Sequence, residues 1–468
     1  MASSKQDVLS RIPSVEILLR KADAEGWAAA TPRRVLAECV RAAIDDARKR
    51  LLESTADADA NAVKDAILAD TRRRVEAASR PFYRKAVNAT GIILHTALGR
   101  AVLPPKALEQ INRELDGYSV LQIDRETGKR SRRDERIEEL LRTLTGAEAA
   151  TVVNNNAAAT VIVLNTVAAG REVIVSRGQL VEIGGSFRLP EVMTAAGVKL
   201  VEVGTTNKTH LRDYRQAIGE NTGAILRVHP SNYKIDGFTS EVPLADLVAL
   251  GREHGLPVID DVGAGSLIDF SRFGFQREPT LPESVAIGAD LTTSSADKMI
   301  AGPQGGIILG KSKWIEAIRK NPLARVLRVD KLMLAALEAA LTLFLDEERL
   351  FDQSPTFRML RRDVAELGRR AERIASEISA RSKGATATVL DGFSQMGSGS
   401  LPTQNLPTRL VAVTADCLSP NELARRLRMG EPPVFARVQN DRVLADPRTL
   451  LDGDDQRLIE AFCTAIKG

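Results

Sequence analysis

The sequence predicts an α/β fold: a mostly parallel sheet with helical crossovers, an N-terminal helical domain before it and a small C-terminal α+β domain after it. Three observations predict it. Residues 1–85 carry only helix signals. From about residue 86, short apolar runs at 149–153, 172–176, 199–203, 224–228 and 258–261 alternate with helical or loop stretches, as parallel strands and their crossovers do. Beyond residue 346, arginine-rich helices precede strands. The predicted domains are 1–85, 86–345 and 346–468.

In chain order, Ser14 stands as an N-cap before the periodic segment Val15–Leu19, and Thr31-Pro32 opens a second helix over about 32–52. That helix places Val35, Leu36, Cys39, Val40 and Ala43 on one face and Arg33, Arg34, Arg41, Arg48, Lys49 and Arg50 mostly on others. A polar stretch, 54–61, separates it from a third helix ending near Arg80. After the strand candidates come an apolar strand at 307–309, a long helix over 330–346, helices over 359–382, and strands at 409–413 and 434–438.

A chain of 468 residues supports a large buried core, and a net charge of +4 is too small to identify a nucleic-acid partner by itself. The three cysteines, Cys39, Cys417 and Cys463, have no metal-ligand spacing, so reduced thiols and no metal are expected. No signal-peptide pattern and no apolar run of about 18 residues is present, so a soluble, cytoplasmic protein without a membrane partner is expected.

The run 294–306, SSADKMIAGPQGG, carries the chemistry. It mounts Lys298 between a hydroxyl-rich strand end and a glycine/proline loop. A lone Ser-x-x-Lys ordinarily marks a surface lysine. Upstream, however, the apolar run PVIDDVGAG (257–265) ends in carboxylates at a glycine turn. An acid at the carboxyl edge of a parallel sheet, paired with a later lysine, is what pyridoxal phosphate chemistry requires. Such an acid would keep the pyridine nitrogen protonated, and Lys298 would bond the cofactor aldehyde. Residues 152–160, VVNNNAAAT, read as strand, turn and helix start. Asn154, Asn155, Asn156 and Ala157, with Ser295, make a candidate phosphate cup at a helix N-terminus. Arg325 and Arg328, spaced i,i+3, and the TGKRSRR run (127–133) supply guanidinium groups suited to oxyanions. The loop NATG (88–91) with HTALGR (95–100) is a candidate cap over the site.

At these residues the chain resembles the bacterial selenocysteine synthase family, L-seryl-tRNA(Sec) selenium transferase. The resemblance runs through NATGIILHTALGRA (88–101), YSVLQIDRETGKR (118–130), LTGAEAATVVNNNAAA (144–159), IVSRGQLVEIGGSFRLPEVM (174–193), SNYKIDGFTSEV (231–242), SADKMIAGPQGG (295–306), NPLARVLRVDKLMLAALEA (321–339) and ELARRLRMGEPPVFARV (422–438), and LSRIPSVEILL (9–19) fits the family's opening. It implies a fold-type I pyridoxal 5'-phosphate enzyme that makes selenocysteinyl-tRNA(Sec) from seryl-tRNA(Sec) and selenophosphate. It further implies Lys298 as the cofactor lysine, Asp261 as the acid at the pyridine nitrogen and Asp297 as the acid preceding the lysine. Arg100, an arginine of 130–133 (Arg130 or Arg133), Arg325 and Arg328 match the selenium-donor pocket. The N-terminal helices would contact tRNA, and the chain would assemble as a homo-oligomer, a ring of dimers. The chain departs from the family's usual residues at Ala97 (Asn), Ala264 (Ser), Ala296 and Ala301 (Gly), and Ser131-Arg132 (Gly-Ser). The alternative is a related pyridoxal phosphate lyase acting on a free amino acid or amino-sugar acid, which would have little use for residues 1–85.

Overall fold

The structure, a computed structural model, describes residue 9 and residues 12–26, 31–53, 59–184 and 187–467. Residues 54–58 of the expected polar stretch, and residues 10, 11, 185 and 186 of the quoted motifs, lie outside the described residues. The chain divides into two compact units, Met1–Lys85 and Ala86–Gly468.

The first unit contains helices α1 (Val15–Ala24), α2 (Arg33–Glu53) and α3 (Ala60–Ser79). Ser14 caps α1, its hydroxyl accepting from the Ile17 amide at 3.4 Å. Leu36, Val40, Ala43, Ile44 and Ala47 of α2 recur at helical spacing and meet Leu18, Ile67 and Val75 in one core. Val35 and Cys39 are half-buried at the edge of that stripe. Arg33, Arg34, Arg41, Arg48, Lys49 and Arg50 are all exposed. Arg33, Arg34 and Arg48 pair with Asp23, Glu38 and Asp45. Arg41, Lys49 and Arg50 have no ion pair among the described residues.

The second unit is built on a seven-stranded sheet. Its strands are β1 (Ala149–Val153), β2 (Glu172–Ser176), β3 (Lys199–Val203), β4 (Thr222–Val228), β5 (Val258–Gly263), β6 (Leu291–Ser295) and β7 (Gly306–Gly310), and helix α4 (Asn156–Ala168) follows β1. The spatial order is β1-β7-β6-β5-β4-β2-β3. β2 through β6 pair in parallel, whereas β7 runs antiparallel to β6 and β1. Residues 296–305 are too few for a parallel crossover, which takes about a dozen or more, so the chain must turn back. Apolar clusters cover both sheet faces, one around Ile137, Leu141, Val152 and Leu337, the other around Ile162, Leu164, Val175 and Ile308. Burial on both faces is why these strands read as continuous apolar runs.

Helix α5 (Lys331–Leu343) follows, capped by Asp330. The helices expected over 359–382 are α6 (Pro355–Arg361) and α7 (Val364–Arg381), and the Asp363 carboxylate starts the second by accepting from the Ala365 amide at 3.0 Å. Residues 346–468 carry their own antiparallel sheet of β8 (Ala385–Gly397), β9 (Ser400–Ala415), β10 (Arg437–Gln439) and β11 (Arg442–Ala445), in the order β8-β9-β11-β10, while belonging to the same compact unit as the core.

The segment 87–100 links the two sheets. Val87–Asn88 pairs in parallel with Val434–Phe435, and the Ile93 and Leu94 amides donate to the Gln395 and Met396 carbonyls of β8. Gly91, at φ +74°, passes so close to Asp446 that a Cβ there would stand 2.1 Å from its carboxylate. Asp446 is fully buried and accepts from the hydroxyls of Ser394 (2.7 Å) and Thr408 (2.9 Å).

Candidate active site

β6 is a short strand of Leu-Thr-Thr-Ser-Ser, buried throughout, and the turn after it points Lys298 inward at 6% exposure. Lys298 lines a cavity of about 480 Å³ with Asp261, Asn155, Asn156, Ala157, Ser295 and Asp297, and with Thr96, Gly99 and Arg100 from the linking segment. Burial, and then the Arg100 guanidinium, lower the Lys298 ammonium pKa from its ordinary value, against the opposing pull of Asp297 and Asp261. A lysine so placed yields a neutral amine more readily than a surface lysine does.

Strand alternation separates the two adjacent carboxylates of β5. Asp260 points away from the cavity, where Arg227 (2.8 Å) and the Ser284 hydroxyl (2.7 Å) satisfy it. Asp261 points in and accepts from the Asn156 amide (2.9 Å), the Thr160 hydroxyl (3.0 Å) and the Gly263 backbone N–H (3.1 Å). Burial raises the Asp261 carboxyl pKa and these hydrogen bonds oppose the rise. A buried carboxylate held by neutral donors favours a cation facing it.

The three asparagines take different tasks. Asn155 caps α4 through its side chain, accepting from the Ala158 amide at 2.8 Å. Asn156 orients Asp261, and its Oδ1 is buried without a partner. Asn154 is exposed, gives its backbone N–H to the Leu327 carbonyl, and stands outside the cavity lining. The first-turn amides of α4 at Asn156 and Ala157 face no intrahelical acceptor. Ser295 sits level with them because Gly306 packs against the Asn155 carbonyl, where a Cβ would clash at 2.1 Å. Helix N-terminus and strand-end hydroxyl therefore converge in one cavity, as an anion cup requires.

Asp297 pairs with Arg100 at 2.7 Å. Arg100 adopts φ +61°, a left-handed conformation costly for a residue with a Cβ, of the kind held at functional sites by their surroundings. The other arginines gather elsewhere. Arg130, Arg133 and Arg328 line a second cavity of about 550 Å³. Burial and the neighbouring Arg328, Arg130 and Arg325 lower the Arg133 pKa, so the four guanidinium groups sit within electrostatic reach of one another. Arg133 donates only to neutral acceptors, the Val329 carbonyl (2.7 Å) and Gln122 Oε1 (2.6 Å). Arg132, by contrast, is committed to Glu138 at 2.7 Å. Within one chain, Arg100 lines one cavity and Arg130, Arg133 and Arg328 line another.

Of the departures, Ala264 and Ala296 are buried beside the cavity, Ala97 is exposed at its lip, and Ala301 adopts φ +56°, where glycine carries no Cβ strain. The sequence reading missed Thr160, His229 and Ser231. His229 and Ser231 line the lysine cavity, Thr160 bonds Asp261, and the Ser231 hydroxyl is buried without a partner. His229 directly follows β4, so examining the carboxyl end of every strand would have found it.

These residues fit pyridoxal phosphate. A buried amine with a lowered pKa, a buried acid calling for a cation, an unpartnered Asn156 Oδ1 and a helix N-terminus with Ser295 share one cavity. Among the described residues no His, Cys, Asp and Glu group has a metal-holding arrangement, no helix is long and apolar enough to cross a membrane, and the three cysteines are free.

The solved structure of D-glucosaminate-6-phosphate ammonia-lyase shares the fold, with a TM-score of 0.57 and 22% identity over 82% of this chain and 96% of that one. Among curated relatives, the L-seryl-tRNA(Sec) selenium transferase of Solidesulfovibrio magneticus is 47% identical over 97% of both chains. That of Geobacter sulfurreducens is 45% identical over 97% of this chain and 98% of its own. The selenocysteine synthase N-terminal profile matches residues 9–48 and the L-seryl-tRNA selenium transferase profile residues 86–451. With Lys298, Asp261 and the helical first unit all inside that span of likeness, the chain belongs to the L-seryl-tRNA(Sec) selenium transferase family, the selenocysteine synthases.

Proposed function

We propose that the chain converts L-seryl-tRNA(Sec) to L-selenocysteinyl-tRNA(Sec), with selenophosphate as donor and pyridoxal phosphate as cofactor. The observation that carries this reading is the shared burial of Lys298 and Asp261 in one cavity of a chain that matches both family profiles.

When bound, pyridoxal phosphate supplies an electron sink for the substrate α-carbon. Lys298 would hold its aldehyde, Asp261 its ring nitrogen, and the first turn of α4 with Ser295 its phosphate. The Lys298 Nζ, once neutral, takes the serine α-proton, which its lowered pKa favours. Asp297, fixed by Arg100, keeps that amine oriented, and the protonated Lys298 is the group that holds the proton for return. The serine hydroxyl leaves with a proton as water, and the selenium of selenophosphate adds at the β-carbon while the α-carbon regains a proton. One water cleaves the Se–P bond to release phosphate, so the water lost and the water consumed balance. Arg130, Arg133, Arg325 and Arg328 are suited to the donor's oxyanion, since guanidinium groups without carboxylate partners keep their charge for it. Arg100 and most of this cluster line separate cavities within one chain, so a site that uses both needs a second copy, in keeping with a homo-oligomer, the ring of dimers that the family resemblance implies. The reading also places the protein in the cytoplasm, where its tRNA is.

The first unit favours a tRNA substrate over a free amino acid or amino-sugar acid, because the exposed cations of α2 suit an RNA backbone. The test supplies purified chain with pyridoxal phosphate, seryl-tRNA(Sec) and selenophosphate. Selenocysteinyl-tRNA is expected; release of free pyruvate or ammonia without it would favour the lyase. Removing residues 1–85 should weaken tRNA binding by orders of magnitude, in a salt-dependent way, while the cofactor still binds. Unchanged tRNA affinity would overturn the role of the first unit.

A further inference from the structure

We infer that a third cavity, next to the lysine cavity, receives the 3'-terminal adenosine that carries the serine. This rests on the selenium-transfer reading above. The cavity, of about 320 Å³, lies on the same sheet edge, one step further along. Ser176 at the end of β2, the turn after β3 at Thr206 to Thr209, and His229 at the end of β4 form its floor. His229 lines both cavities, and its backbone N–H donates to the Asp261 carbonyl at 2.9 Å. The two cavities therefore share His229, whose backbone is bonded to that of the cofactor acid.

The substrate's covalent structure requires such a neighbour. Serine is esterified directly to the terminal ribose, so when its α-carbon stands at Lys298 the nucleoside is only a few bonds away. A cavity of this volume is within the range of small-molecule sites, about 300–1,000 Å³. Its chemistry suits a nucleotide. Tyr233 is half-buried and its hydroxyl is tied to the Gly178 carbonyl, which holds the ring in the wall. Glu241 and Glu278 offer acceptors to ribose hydroxyls or an exocyclic amine, and Lys208 offers a cation to the phosphate joining the next nucleotide, whereas the Arg277 guanidinium is already paired with Glu283. At the rim the Lys208 ammonium lies 5.8 Å over the ring of Phe238, which is 88% exposed. An aromatic face beside a cation is how single-stranded nucleic acid is held without base-edge readout.

The experiment measures binding of adenosine 5'-monophosphate, cytidine 5'-monophosphate and inorganic phosphate to the full-length holoenzyme, and the KM and kcat for seryl-tRNA(Sec). The adenosine nucleotide should bind more tightly than the other two. Tyr233→Ala and Lys208→Ala should each weaken it at least about fivefold, the lower end of one base–aromatic stack, and raise the KM for seryl-tRNA(Sec) with kcat and cofactor absorbance little changed. Tyr233→Phe, which keeps the ring, should bind like the wild type. Adenosine monophosphate binding no tighter than phosphate, as for a site that takes only the selenium donor's anion, would overturn the inference. So would folded Tyr233→Ala and Lys208→Ala proteins with unchanged binding and KM. Selective nucleotide binding by a protein that makes no selenocysteinyl-tRNA would instead leave the site standing and sink the selenium-transfer reading.

Discussion

In the lysine cavity, Lys298 faces Asp297 and Asp261, Asp297 holds Arg100, and Asp261 is held by three donors; around Arg133, four guanidinium groups come within electrostatic reach of one another, Arg133 itself bonds a carbonyl and an amide oxygen, and the nearby Asp134 carboxylate offsets only part of the charge. Both regions bind charge, but the first has balanced its own and the second has not. The contrast separates two tasks. A cofactor that stays bound needs a preorganised pocket whose charges are settled beforehand. A transient oxyanion is better met by cations whose mutual repulsion it relieves on arrival.

The comparison breaks most visibly at Lys298. In Lys298→Ala, covalent cofactor attachment and turnover should fall below detection while circular dichroism stays that of the wild type. Borohydride reduction of the parent protein should place the pyridoxyl label on Lys298, and a label elsewhere would sink the assignment. Asp261→Asn should retain cofactor but lose about a hundredfold or more in kcat, the scale for removing one buried electrostatic stabiliser. Its neighbour sharpens the point: Asp260→Asn leaves Arg227 buried with a weakened partner and should lower stability by about 3 kcal/mol in urea titrations while sparing kcat. Equal kcat losses in the two variants would dissolve the distinction between the β5 carboxylates.

On the other side of the comparison, Arg133→Gln and Arg328→Gln should each raise the KM for selenophosphate about tenfold with the cofactor spectrum unchanged, one charge-assisted contact being lost. Arg132→Gln should do less, since its charge is already spent on Glu138. The smallest effect is a shift in pH. Cofactor capture by the apoprotein needs neutral Lys298, so its rate should rise with pH through a midpoint below 10.5, the ordinary lysine value. Arg100→Met removes a cation that lowers that pKa and unpairs Asp297, which raises it. Both changes move the midpoint upward, and a downward shift in stopped-flow absorbance would refute the electrostatic account.

The parallel strands were legible in the sequence because burial on both faces makes each one a compact apolar run bounded by polar turns. Asp261 was legible because it closes such a run, and Lys298 because it stands between a hydroxyl-rich strand end and a glycine/proline loop. The antiparallel course of β7 was not, since it follows from the shortness of the 296–305 loop. β8 escaped because its residues alternate between exposed and half-buried over much of its length, leaving no apolar run. Within the site, residue types pointed to a phosphate cup of three asparagines, yet only the folded chain shows one capping, one orienting Asp261 and one turned outward. Thr160 and Ser231 carry no sequence signal of their own. Their part comes from where α4 and the turn after β4 bring them.

The threading of residues 87–100 across the C-terminal sheet has a consequence for how the protein is made. Arg100 reaches Lys298's cavity on a segment that is laid down early but fastened by Val434, Phe435 and Asp446, which leave the ribosome well after β1 through β7. A growing chain can hold β1 through β7 and Lys298 long before it can seat Arg100. Folding of the catalytic core and arming of its lysine are thus separate events in time, and a chain stopped short of β11 would carry the lysine without the cation that activates it.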